Sequence, residues 1–459
     1  MKSMKSQKGQ ALVIIALGAV VLFGFAALAI DGSRVFSDRR HAQNAADTSA
    51  LAAALAKVRG QDYSTAGLDR ATSNGYSNDT DSTVEIHLCN ETGITCEGLP
   101  AGADPSEYIR VKIVSTIPTT FARVLGREYI TSTLTAVARA KPTELKPLAQ
   151  GAALAALKPT GPKTIDGNGN IVLDVNNSGV FNNSTDNCGM NVVGNGNYSV
   201  DTAFEFVSGT HCQSGNPTLN GPQQSAPPMP YPPEINIPAP SISCSVNGSK
   251  SVNGTATTFS PGNYNGISIN VSGKVYFDPG NYCFNGDVKI NGAADIIANS
   301  VNFLITAGSF DIAGNSTFTC NDVMVYINGG EGMHFNGNGT NACNSITFYA
   351  ATGTVSWNGN VGNRFFAPEG GTYAHVLIYM PYENDSALTI NGNSGNMLTG
   401  SIIAVSSPIT ISGNSGTAGL HSQIIGYTIG LLGNSSTTIN YVADEQFTQP
   451  EPNAIQITK

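Results

Sequence analysis

The chain has 459 residues, of which only 12% are charged and 51 are glycine, and its formal charge is -9 with pI near 5.1. That length exceeds one ordinary core and predicts several folded units, while low charge and abundant glycine point to turn-rich β structure rather than a charged helical protein. The acidic balance, with no Lys/Arg cluster after residue 40, argues against nucleic acid as a partner, because phosphate binding needs grouped cations.

In chain order, the first element is an uncharged run from Ala11 to Ile30. At about 1.5 Å per residue, these twenty residues match the roughly 30 Å hydrocarbon thickness of a bilayer and predict a membrane-spanning helix. A cleaved leader is the competing reading, with Lys2, Lys5 and Lys8 as its basic start and Ala27-Leu28-Ala29 as its cleavage site. Basic residues nearly balance across the span, Lys2, Lys5 and Lys8 before it against Arg34, Arg39 and Arg40 after it. Eight cysteines, an even number, all lie beyond the span, which suits an oxidising compartment and a cytoplasmic N-terminus. No CxxC pair occurs, and neither a metal nor another cofactor is expected.

After the span, Gln43, Asp47, Ala50, Leu51 and Ala54 recur at three- and four-residue steps, so the helix is predicted to continue with one face for packing. Lys8-Gly9-Gln10, Asp31, Arg34 and the run Gln43-Asn-Ala-Ala-Asp47-Thr-Ser-Ala50-Leu-Ala-Ala-Ala54 resemble the TadE/TadG-like Flp (tight-adherence) pilus assembly proteins. The resemblance covers about the first 60 residues and implies membrane anchoring, partners among pilus-assembly or envelope proteins, and a small α+β unit beside the anchor. One departure stands out: a prepilin-peptidase substrate of this kind carries Glu five residues after the processed glycine, and Ile14 occupies that place after Gly9. Processing into a pilin-like subunit is therefore not expected. The Ala-rich face has two readings, packing on its own domain or binding a partner.

Residues 61–140 read as the small α+β unit, with strands at Tyr108–Ser115 and Ile130–Arg139 and a short helix near Phe121–Leu125. Cys89 and Cys96 flank a glycine-containing turn and are expected to pair. Residues 141–163, with four prolines, read as a linker.

A repeat then dominates. Glycines 254, 273, 292, 314, 337, 359, 392, 413 and 433 follow one another at intervals of 19, 19, 22, 23, 22, 33, 21 and 20. Two before each glycine from Gly273 onward stand Val271, Ile290, Ile312, Phe335, Trp357, Ile390, Ile411 and Leu431; four before stand Ile269, Val288, Phe310, Met333, Val355, Leu388, Ile409 and Ile429. Apolar alternation at a rung-like interval predicts stacked parallel strands, hence a right-handed parallel β-helix over 244–445 about 38 Å long. Residues 164–221 share the Gly-Asn habit and are candidate first turns; the proline-rich 222–243 is expected either to cross the rod's side or to separate two lobes; 446–459 reads as a tail.

Asn315, Asn338, Asn360, Asn393, Asn414 and Asn434 each follow a marker glycine and read as a structural ladder. Cys320 and Cys343 each stand six residues after a marker, which places them on adjacent rungs within disulfide reach. Elimination pairs Cys188 with Cys212, and Cys244 with Cys283.

The outward position three before the glycine carries Lys289, Asp311 and His334 on successive rungs, a row that could be taken for a catalytic one. Glycoside hydrolysis needs two carboxylates, and no second one shares that column, so the row reads as a solvated polar ladder and the protein as a non-enzyme. The 33-residue interval holds Arg364, Phe365, Phe366, Tyr373 and Tyr382, either a projecting binding surface or another covered strand. Taken together, the chain reads as mainly β: a single-pass anchor with a periplasmic or extracellular solenoid, serving pilus assembly or surface attachment. An adhesin-like glycan- or protein-binding module is the first alternative, and a carbohydrate-active enzyme the second.

Overall fold

The structure, a computed structural model, describes residues 10–141, 145–244, 250–254, 258–359, 363–392, 397–414, 419–450 and 454–458. Two compact units emerge, one from residues 1–144 together with 450–459 and the other from 145–449. The second is thus an insertion in the first.

In the first unit, helix α1 (Gln10–Val58) is followed by α2 (Tyr63–Ser73) and strands β1 (Ser82–Leu88), β2 (Tyr108–Pro118) and β3 (Tyr129–Lys141). The N-terminal part of α1 is apolar and long enough to cross a membrane, and its Leu12, Phe23 and Leu28 are exposed. Beyond it, Ala42, Ala45, Ala46, Ala50, Ala53 and Ala54 are buried against Ile109, Val111, Ile113, Leu134 and Ala136 of the sheet. Small side chains let the helix lie close on β2 and β3, so packing within its own unit accounts for the Ala-rich face. The expected tail is corrected here: Ala454–Ile457 adds a fourth antiparallel strand beside β3, pairing Ile457 with Ala138. Alternating Ile455 and Ile457 suit an edge position.

The second unit is a parallel β-solenoid of about 11 turns. Each full coil contributes strands to three parallel sheets. The repeat read from the sequence is the first of these, with Val288, Phe310 and Met333, then Val355, Leu388, Ile409 and Ile429 in register. Fifteen of the sixteen marked apolar side chains are buried, and Val271 is half-buried against the same core. The second sheet carries Ala298, Cys320 and Cys343, and the third Phe303, Val325 and Phe348. Between second and third sheets, the corner residues Ser300, Asp322, Ser345 and His375 all have positive φ, from 52° to 61°.

Several of these glycines have a mechanical reason. A Cβ on Gly314 would lie 2.6 Å from the Gly292 carbonyl oxygen, and one on Gly194 would lie 2.3 Å from that of Gly169. At these positions successive coils approach so closely that only glycine fits, whereas Gly273 and Gly433 have open space beside them.

Coil order differs from chain order. Residues 164–221 do form coils, but they stack on the last coil rather than ahead of Gly254: Ile429 pairs with Ile165, which pairs with Met190, which pairs with His211. The added coils extend the stack to about 50 Å at about 4.8 Å per turn. The stretch 141–163 is likewise corrected from linker to rung, because Leu154–Ala156, fully buried, joins the third sheet between Ile424–Gly426 and Val180–Asn182. Its Ala-Ala-Leu-Ala-Ala-Leu run has no polar residue to hold it in solvent.

The proline-rich segment crosses the rod's side as a strap. Strands Val323–Ile327, Ile346–Ala350 and Val376–Met380 are buried along their whole length. Their outward row, Tyr326, Tyr349, Tyr379, Ile403 and Ile425, is covered by Met229, Tyr231, Ile235, Ile237 and Ile242. A strand apolar on both faces needs such a cover.

Candidate functional site

All eight cysteines are paired: Cys89–Cys96, Cys188–Cys212, Cys244–Cys283 and Cys320–Cys343. Cys320 and Cys343 face each other across adjacent rungs inside the core, with Cα atoms 4.4 Å apart. Cys244 lies at the strap's far end, and its bond to Cys283 fastens the strap to the rod.

The asparagine ladder is distributed otherwise than the sequence implied. Side chains stack one residue before the glycine, where the Asn358 amide donates to Asn336 at 3.1 Å and Asn391 donates to Asn358 at 2.6 Å. After the glycine, Asn315 and Asn338 use their backbone N–H groups, which donate to the Gly292 and Gly314 carbonyls. Asn434 accepts from Asn170 across the junction between last and first coils at 3.0 Å. Asn414 pairs through its backbone strand, and Asn360 and Asn393 lie outside the described residues.

Lys289, Asp311 and His334 do occupy successive rungs. His334 Nδ1 lies 2.6 Å from Asp311 Oδ1, and its Nε2 lies 3.0 Å from Thr354 Oγ1. A second carboxylate, missed from the column count, sits nearby: Ser309 donates to Asp311 at 2.6 Å and lies 3.3 Å from Asp287, which pairs with Lys289. The Asp287 carboxyl is held below its ordinary value by the Lys289 hydrogen bond, against the cost of burial and with help from the Ser309 N–H. Burial raises that of Asp311, but hydrogen bonds from His334 and Ser309, with the charges of His334 and Lys289, bring it below the ordinary value. Both carboxylates are therefore ionised at neutral pH. A glycosidase pair needs one of the two protonated as general acid, which these partners oppose.

The residues of the 33-residue interval do not form one surface. Phe365 is fully buried and packs among Phe335, Phe348 and Trp357 at ring separations of 5.3 to 5.5 Å, while Arg364 points outward and Phe366 is half-buried. Tyr373 donates from its hydroxyl to the Pro238 carbonyl at 3.0 Å, and Tyr382 packs edge-on against Tyr231 at 5.9 Å. The interval thus supplies a covered strand and two clamps on the strap.

Where strap and interval meet, a groove of about 290 Å³ is lined by Pro240, Ile242, Asp322, Met324, Ser345 and Tyr373. Its lining has one carboxylate, Asp322, several hydroxyls and the Tyr373 ring, with no lysine or arginine. Sequence reading missed this groove because its walls come from four coils and the strap. The signal present was the run of strands without polar alternation.

In the first unit, Asp31 accepts from the backbone N–H groups of Thr120, Phe121 and Ala122 at 2.8, 2.9 and 2.7 Å. Arg34 donates to Thr120 Oγ1 at 2.9 Å. Gln43 donates to Asp47 at 2.8 Å and to the Thr135 carbonyl of β3 at 3.3 Å. These motif residues tie α1 to the sheet and to the turn between β2 and β3.

Residues 9–56 match the model of the Tad family, described as Flp pilus-assembly TadE/G-like. No curated protein and no solved structure matches the chain.

Proposed function

We propose that this chain is a membrane-anchored scaffold of a Flp/Tad-type pilus system, with its solenoid held outside the cytoplasm as a non-catalytic rod. The observation that carries the reading is the TadE/G-like match over residues 9–56, the segment that holds the apolar span and the motif residues Asp31, Arg34, Gln43 and Asp47. Four disulfides, all beyond the span, support an N-terminus in the cytoplasm and a rod in the periplasm or outside the cell. Partners are then the membrane and other pilus-assembly or envelope proteins. Two ionised carboxylates pinned by Lys289 and His334 support a structural rather than hydrolytic role for the polar row.

The test is a deletion strain compared with its parent by pilus preparation and electron microscopy, beside protease accessibility of the rod in spheroplasts. Loss of pili, or pili of altered number, is expected, with the rod digested from outside. Unchanged pili together with a rod shielded from external protease would overturn the proposal.

A second reading, an adhesin-like module that binds glycan, is favoured by the groove at Asp322 and Tyr373. Glycan-array binding by the purified chain that Tyr373→Ala abolishes would support it, and turnover of a bound glycan, lost in Asp311→Ala, would point to an enzyme instead.

A further inference from the structure

The turn between β2 and β3, residues 119–128, is fixed to α1 at one depth. Asp31 immediately follows Ile30, the last residue of the apolar span, and its carboxylate holds three successive N–H groups of that turn. Arg34, one helical turn further on, holds the Thr120 hydroxyl. The turn therefore lies level with the end of the span. Beyond these bonds the chain makes a short 3-10 helix, Ala122–Leu125, that projects Val124 into solvent at 85% exposure. An aliphatic side chain so exposed on a rigid, hydrogen-bonded turn has no structural use there. Tyr129, 60% exposed, and Phe36, 72% exposed, lie on the elements that flank the turn. Arg123 and Arg127 share the turn, and their local acidic neighbour is Glu128, 3.8 Å from Arg123; the Asp31 carboxylate is taken up by its N–H partners.

We propose that this turn is a second membrane contact: Val124 enters the interfacial layer beside the span, with Tyr129 and the arginines Arg34, Arg123 and Arg127 among the headgroups of anionic phospholipid. The proposal rests on the reading of Ala11–Ile30 as a membrane span. Interfacial segments seat an apolar side chain about 5–10 Å into the headgroup boundary with basic residues alongside, and tyrosine favours the same layer. Two contacts at one depth fix the rotation of the helix as well as its height. A lone helix is free to turn about its axis; a helix with a foot is not.

The test uses the full chain in vesicles. Its single tryptophan, Trp357, is fully buried in the solenoid, so the wild-type protein supplies a constant background. Val124→Trp places an indole at an open position, and Phe25→Trp places one within the span. In vesicles containing phosphatidylglycerol and lipid brominated near the top of its acyl chains, the emission added by each substitution is expected to fall about twofold, while that of the wild-type chain stays constant. Adding Asp31→Ala to Val124→Trp frees the turn and is expected to restore most of the lost emission. Unquenched Val124→Trp beside quenched Phe25→Trp would overturn the second contact alone. Unquenched Phe25→Trp would overturn the span, and the proposal with it. Equal quenching of Val124→Trp in vesicles without phosphatidylglycerol would overturn the anionic assignment.

Discussion

Ile429, in the last coil of the solenoid, pairs in parallel with Ile165, in the first. Both are buried, and 264 residues of chain separate the two. The rod is therefore closed by its two chain ends meeting within the stack.

That meeting can be measured. Ile165→Ala and Ile429→Ala are each expected to cost about 2–5 kcal/mol, as large-to-small changes in a packed core do. Because the two side chains neighbour each other across the junction, the double variant should depart from the sum by about 0.5–3 kcal/mol. Denaturant titrations followed by hydrogen exchange over 154–225 would show it. Additive losses would mean that the first and last coils do not touch.

Gly194→Ala tests the close approach between coils at the glycine corner. The residue has φ of +109°, and a Cβ there would meet the Gly169 carbonyl oxygen at 2.3 Å, whereas Gly433 has positive φ but open space around it. The Gly194 variant is expected to lose more than about 1 kcal/mol, and Gly433→Ala less than that variant. Equal thermal shifts for the two would remove the close approach as the reason for the glycine column.

Removing the strap's fastening, in Cys244→Ser with Cys283→Ser, should leave the coils intact but free the cover from Tyr326, Tyr349 and Tyr379. Binding of a hydrophobic dye is expected to rise while far-ultraviolet circular dichroism stays constant. The loop closed by this bond spans 39 residues, so the variant should also lose about 4 kcal/mol against unfolding. Dye binding equal to that of the wild type would show the strap held without its disulfide.

Asp311 gives the rod a dependence on acid. Its carboxyl in the folded chain sits below the ordinary value of about 3.9, so the ionised form stabilises the fold. That contribution is fully present above the ordinary value, and as pH falls toward the lower folded value the unfolded chain takes up the proton first and the contribution is lost. Unfolding midpoints from pH 6 down to pH 2 should fall more steeply for the wild type than for Asp311→Asn in the window just below about pH 4. Parallel curves would remove the ion pair with His334 from the stability of the row.

The first sheet and the anchor were legible because one periodicity marks each: alternation before a glycine, and an uncharged run. The third sheet was not, because Val323–Ile327 and Val376–Met380 are covered on both faces and lack alternation. Chain order concealed the junction of Ile429 with Ile165, since repeats reveal that coils stack but not which coil stacks on which. Asp287 was overlooked for a related reason: it lies off the marked column, and only Ser309 on the next coil brings it to Asp311. The aromatic cluster of the long interval gave no sign of direction, and Phe365 turned inward while Tyr373 and Tyr382 turned to the strap.

The return of Ala454–Ile457 to the sheet beside β3 gives the rod two leashes instead of one. A protease that cuts the connection before residue 145 leaves the rod attached through that strand, and a cut near residue 450 leaves it attached through β3. Shedding would take two independent nicks, and a pull on the rod would be divided between two strands of the same sheet.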